Sequence, residues 1–171
     1  MPRNVEIKAK VDLPAVQARV EAIADDGPTE LQQSDTFFKC RDGRLKLREF
    51  ADGAAELIHY QRPDDAGPKE SRFFVARMTD PETTKEILGA SNGVLGVVKK
   101  RRLLYWIGQT RVHLDQVDGL GDFLELEVVL RDDQSMDEGT AIARRLMETL
   151  HIQENQLIEG AYFDLLHISK I

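Results

Sequence analysis

The 171-residue sequence holds one cysteine, Cys40, which excludes an internal disulfide and fits a reducing, cytoplasmic setting. It lacks any run near the roughly 18 consecutive apolar residues of a membrane span, and its opening MPRNVEIKAK contains no apolar stretch of signal-peptide length. A basic excess is missing too: 23 Lys and Arg face 30 Asp and Glu, for a net charge of -7. That balance argues against duplex nucleic acid as a partner and disfavours an RNA-binding sheet. No repeat, low-complexity tract or Pro/Gly/Ser-rich linker breaks the chain, so residues 1–171 are read as one domain with no membrane contact. Hydrophobic residues at 42% suffice for a core, while charged residues reach 31%.

The dominant pattern is period-2 alternation. Val5, Ile7, Ala9 and Val11 alternate with Glu6, Lys8 and Lys10, which predicts a strand. Leu45 and Leu47 alternate with Arg44, Lys46 and Arg48, and after the hairpin dipeptide Asp52-Gly53 a return strand is expected over 56–62. Further strands are expected over 71–78, 94–107, 111–117 and 123–130. Helices are expected over 13–26, where Pro14 suits a first turn, from Asp80-Pro81 to about Gly89, after the capping-box pair Ser135 and Glu138, and over 157–166. Seven or eight strands in hairpins with a few helices predict an α+β fold on an antiparallel sheet, and a closed barrel fits.

Cations concentrate in these strands. Lys8, Lys10, Arg44, Lys46, Arg48, Arg62, Arg72, Arg77, Lys99, Lys100, Arg101, Arg102 and Arg111 are 13 of the 23 basic residues in an acidic chain. Alternation puts Lys46 with Arg48, Lys100 with Arg102, Glu125 with Glu127, and Arg111 with His113 and Asp115 on shared faces. A sheet with one wet face explains any single strand. Brought together inside a barrel, the same faces would hold many cations and a few carboxylates, a set that a polyphosphate with divalent metal satisfies. A slip of one residue would exchange Lys100 and Arg102 for Lys99 and Arg101.

The ordered segments resemble a known family. Val5-Glu-Ile-Lys-Ala-Lys10 is similar to the opening Glu-x-Glu-x-Lys signature of the CYTH domain, the superfamily of triphosphate tunnel metalloenzymes. The similarity continues through Leu45-Lys-Leu-Arg48, Tyr60-Gln-Arg-Pro63, Val98-Lys-Lys-Arg-Arg102, Arg111-Val-His-Leu-Asp115 and Gly119-Leu-Gly-Asp-Phe-Leu-Glu-Leu-Glu-Val128. The last two segments look closest to the class IV adenylyl cyclase branch. The resemblance implies an eight-stranded antiparallel β-barrel with flanking helices that binds a triphosphate in its tunnel. It assigns Glu6, Asp115, Glu125 and Glu127 to Mg or Mn. Lys10, Lys46, Arg48, Lys100, Arg102 and Arg111 become phosphate ligands, and Lys8, a cation added at the second position of the signature, is placed with them. The implied partner is ATP, thiamine triphosphate or tripolyphosphate, and a homodimer is compatible with it.

Two positions depart from the family pattern: Lys8 replaces the second Glu of the signature, and Gln61 stands where relatives often carry Lys. A cation beside a metal site repels the metal, so weaker metal binding, a single metal, altered substrate placement or a binding tunnel without turnover all follow. The resemblance implies a class IV cyclase-like conversion of ATP to cyclic AMP and pyrophosphate, or hydrolysis of a triphosphate, two reactions that can share one phosphate cradle. His113 is placed to shuttle a proton, or to hydrogen-bond a carboxylate. Tyr162 and Asp164 could plug the tunnel, or serve as core and cap. The pairs Phe37-Phe38, Phe73-Phe74 and Tyr105-Trp106 split between the two faces of their strands, so each places one ring in the core while the other could stack on a base.

Overall fold

The computed structural model describes residues 2–169. The chain runs β1 (Arg3–Lys10), α1 (Leu13–Ile23), β2 (Asp26–Phe38), β3 (Arg44–Phe50), β4 (Ala55–Gln61) and β5 (Lys69–Arg77). It continues as α2 (Pro81–Asn92), β6 (Val94–Ile107), β7 (Thr110–Val117), β8 (Gly121–Val129), α3 (Met136–Thr149) and α4 (Tyr162–Ser169). The eight strands close into one barrel in the order β1-β5-β4-β3-β2-β6-β7-β8. Every neighbouring pair is antiparallel.

The barrel is inverted relative to a small filled one. Its apolar faces point outward: Ile7, Leu103, Tyr105, Val112, Leu114, Leu124 and Leu126 form a buried cluster with Val16 and Val20 of α1 and Met147 of α3. Phe38, Leu47 and Ala55 form a second outer cluster, against which Leu88 of α2 packs. Helices cover the apolar surface because burying such side chains contributes roughly 1.5–3 kcal/mol each. The alternate residues, largely charged, are thereby forced into the lumen. Alpha4 closes one end: Tyr162 packs with Phe37, Val98, Val117 and Phe123, and the Phe37 and Phe163 rings stack at 5.3 Å.

Three details differ from the sequence expectation. The first helix ends at Ile23 rather than Asp26, because the Asp25 N–H already donates to the Trp106 carbonyl and the chain turns directly into β2. Beta2 itself has no clear alternation: around its middle Gln33 and Asp35 face the lumen while Gln32 and Ser34 face outward, so both faces read polar. The final helix starts at Tyr162, not 157, since the preceding chain runs extended beside β1, with Leu157 bridging Ala9 and the Ile158 N–H donating to the Lys8 carbonyl. The capping box at Ser135 and Glu138 is present as expected.

Candidate functional site

A cavity of about 300 Å³ fills the barrel. Seven cations line it (Lys8, Lys46, Arg48, Arg62, Lys100, Arg102, Arg111) together with five carboxylates (Glu6, Asp35, Glu56, Glu125, Glu127). A chain of net charge -7 thus encloses a lumen with more cations than anions. The two signs separate by strand. Beta3 and β6 contribute a basic wall of Lys46, Arg48, Lys100 and Arg102, while β1 and β8 contribute Glu6, Glu125 and Glu127.

The basic wall is organised around Asp35, which the sequence did not single out. Its carboxylate accepts from Arg48 Nε and Nη2 at 2.8 Å each, and from Lys46 Nζ and Lys100 Nζ at 3.0 Å each. Burial alone would raise the Asp35 pKa, but Arg48, Lys100 and Lys46 outweigh it and hold the group well below the carboxylate range. Burial lowers Lys46 and lowers Lys100 strongly, with neighbouring cations adding to the effect. Each ammonium keeps further N–H groups beyond those spent on Asp35, and these can take phosphate oxygens.

On the acidic side, Glu6 accepts from Arg62 Nη1 at 2.8 Å, and Arg62 Nη2 donates to the Gly160 carbonyl at 2.9 Å, tying the wall to the segment before α4. Asp115 is fully buried and does not line the cavity. Arg102 donates to both its oxygens at 2.7 Å, and the Tyr162 hydroxyl donates at 2.8 Å. Glu125 and Glu127 are held more loosely: their cations Lys8 and Arg111 stand at 3.6 and 3.8 Å. Burial and the neighbouring Glu125 and Glu6 raise Glu127 to about 8. Burial would also raise Glu125, yet Lys8 and His113 bring it well below the usual value. Two adjacent carboxylates with opposed proton affinities are what like charges in one site produce.

His113 lies beside this pair, 1% exposed, with Nδ1 3.7 Å from Glu125 and Nε2 3.9 Å from Glu127. Burial, with Arg102 adding to it, lowers its pKa to about 3, so the ring is neutral. Neither ring nitrogen has a hydrogen-bond partner among the described residues. The donor atoms of His113, Glu125 and Glu127 all lie within 4.8 Å of one another. A buried orphan imidazole beside two carboxylates of high charge density is a set that fits a divalent cation.

Lys8 reaches the lumen as the alternation required, and its ammonium sits 4.0 Å above the Tyr162 ring. Burial lowers its pKa to about 8. Lys46, Arg48, Lys100 and Arg102 converge there too, while Lys99 and Arg101 lie outside the lining, Arg101 paired to Glu30 at 2.9 Å. Arg111 lines the cavity near Trp106, 5.8 Å from that ring. Lys10 is not brought to this cavity: at the end of β1, opposite Phe123, it is exposed. Gln61 is exposed as well and lines nothing, so its departure from the family pattern does not touch the lumen. Arg62, one residue further, does, and the Tyr60-Gln-Arg-Pro63 segment carried the signal for it. Tyr162 plugs the closed end, and Asp164 caps the Ala161 N–H at 2.8 Å while pairing with Arg44 at 2.5 Å. The lining also includes apolar side chains, among them Leu31, Phe50, Phe73 and Val75.

Residues 2–162 match the CYTH domain. The chain belongs to the CYTH domain family. Among individual relatives, adenylate cyclase CyaB of Aeromonas hydrophila is 25% identical over 169 residues, covering 92% of this chain and 86% of that protein. The PH1012 protein of Pyrococcus horikoshii superimposes with a TM-score of 0.86 at 24% identity, covering 95% of this chain and 99% of that one. HpAC1 from Hippeastrum, described as having a dominant triphosphatase activity, superimposes with a TM-score of 0.71 at 16% identity, covering 100% and 97%. These structural likenesses establish the CYTH tunnel fold for this chain, in agreement with the sequence expectation of an eight-stranded antiparallel barrel.

Proposed function

We propose that this CYTH protein is a metal-dependent enzyme that takes the triphosphate of ATP into the barrel and releases cyclic AMP and pyrophosphate in the cytoplasm. The observation that carries this reading is the two-walled lumen, with Lys46, Arg48, Lys100 and Arg102 facing a loosely held Glu125–Glu127 pair. Glu125 and Glu127 would hold Mg or Mn, which supplies polarisation of phosphate oxygens and neutralises their charge. Glu6 borders that pair, whereas Asp115 serves to fix Arg102. The chain's own cations do the rest: they spread the triphosphate charge and hold the reacting phosphorus in place, which is most of what phosphoryl transfer asks of a protein. The apolar lining residues Leu31, Phe50, Phe73 and Val75 suit an organic group on the triphosphate better than free tripolyphosphate.

A second reading, hydrolysis of a triphosphate, is favoured by the triphosphatase activity described for the structurally similar Hippeastrum protein. Incubating the protein with ATP, thiamine triphosphate and tripolyphosphate, each with Mg or Mn, and resolving products by phosphorus NMR separates the two. Cyclic AMP with pyrophosphate supports the cyclase. Orthophosphate moves the protein to the hydrolases. Binding without any product would make the tunnel a non-catalytic polyphosphate receptor.

A further inference from the structure

We infer that His113 is a metal ligand, and that it completes with Glu125 and Glu127 a single site preferring Mn to Mg. The inference rests on the metal-dependent reading above but concerns which atoms hold the ion and which ion they select. His113 is the most conspicuous buried side chain that the surrounding protein leaves unsatisfied, since both nitrogens are sealed from solvent and unpartnered among the described residues. An unsatisfied buried donor or acceptor costs about 1–3 kcal/mol and calls for a missing partner. Its separations of 3.7 and 3.9 Å from Glu125 and Glu127 are too long for hydrogen bonds. They suit donors that share an ion, which lie no further apart than about twice the metal–ligand distance, roughly 4–5 Å.

Of the other carboxylates around the lumen, Glu56 lies on β4, which adjoins neither β7 nor β8, and the rest are already committed. Glu6 is engaged by Arg62, Asp115 by Arg102 and Tyr162, and Asp35 by three cations. Lys8 stands on the other side of Glu125 from His113, 3.6 Å from Glu125, and its ammonium occupies the place a second ion would take. One imidazole with two carboxylates is a mixed donor set. Magnesium demands oxygen ligands and gains little from nitrogen, whereas Mn accepts both and Co and Zn more so.

Metal alone is the probe. Calorimetry of untagged protein with MnCl2 and with MgCl2 should give one site, with Mn bound about tenfold or more tighter. Pulsed EPR of the Mn-loaded protein should show nitrogen coupling from a directly bound imidazole. H113Q keeps polar bulk without the ring; it should lose that coupling and lower Mn affinity about 10- to 100-fold, the range that perturbing a metal site's ligand shell usually gives, with Mg affinity changed much less. Absence of nitrogen coupling in the wild type overturns the inference whatever the variant does, and points to a water-bridged imidazole. An unchanged Mn-to-Mg ratio in folded H113Q overturns it too. Tripolyphosphate binding, measured separately, keeps the two readings apart. Polyphosphate binding without nitrogen coupling sinks the ligand assignment alone, and nitrogen coupling without polyphosphate binding sustains it while the triphosphate reading fails.

Discussion

Replacing Lys8 by Met keeps an unbranched side chain, one atom shorter, while removing the ammonium that stands 3.6 Å from Glu125 and 4.0 Å above the Tyr162 ring. The gain in divalent metal affinity has a ceiling. A metal arriving beside a charged Lys8 can be accommodated by expelling the lysine proton, and with a pKa of about 8 that costs one pH unit at pH 7, or about 1.4 kcal/mol. The repulsion therefore weakens metal binding at pH 7 by no more than about tenfold. The sign with pH follows: above pH 8 the amine is already neutral and the advantage of the variant shrinks, whereas towards pH 6 it widens. Proton release is a second handle. In the wild type Glu127, raised to about 8, and Lys8 can each give up a proton on binding, while the variant retains Glu127 alone. Calorimetry with Mn in two buffers of different ionisation enthalpy, from pH 6 to 9, measures both quantities. Equal affinity in the two proteins at pH 7, with equal proton release, would refute the electrostatic account of Lys8.

Asp35→Asn should cost about 3–5 kcal/mol by stranding three buried cations, lowering the melting temperature by about 2–4 °C per kcal/mol in a chain of this size. Inorganic tripolyphosphate should restore more of that loss in the variant than it adds to the wild type. Because the folded pKa of Asp35 is depressed, its contribution is whole above the unfolded value near 4 and is lost only as pH falls through the folded one; in melts from pH 3 to 7 the gap between the two proteins should narrow below about pH 4 without closing, and parallel curves would contradict the assignment. Tyr162→Phe removes the hydroxyl that donates to Asp115 at 2.8 Å, so urea unfolding should show a loss of about 1–3 kcal/mol, and a neutral result would mean that Arg102 alone satisfies the carboxylate.

Much of the barrel was legible because each strand that packs under a helix must alternate. Leu124, Leu126 and Val128 against Glu125 and Glu127 is such a strand, and its two faces are now the core and the lumen. Beta2 escaped because it has little under which to hide: its middle presents polar residues both inward and outward, and with it went Asp35, the centre of the basic wall. Arg62 and Tyr162 were legible as residues, but their partners were not. Both act from outside the strands, and only the closed fold shows an arginine after β4 reaching Glu6 on β1, or a tyrosine at the head of α4 reaching Asp115 on β7. Sequence spacing also could not say how far along a strand the lumen extends, which is why Lys10 shares a face with Lys8 but not its surroundings.

The seam between β1 and β8 joins Asn4 to Val129 and Lys10 to Phe123. Beta1 therefore waits for nearly the whole chain before its second neighbour exists, a large loop closure that topology makes slow. Glu6 and Lys8 belong to one side of that seam, Glu125 and Glu127 to the other. The acidic wall is assembled by the last pairing event, so anything that binds across it, ion or polyphosphate, acts as a clasp on the closed barrel and withdraws protein from forms in which the first strand still hangs free.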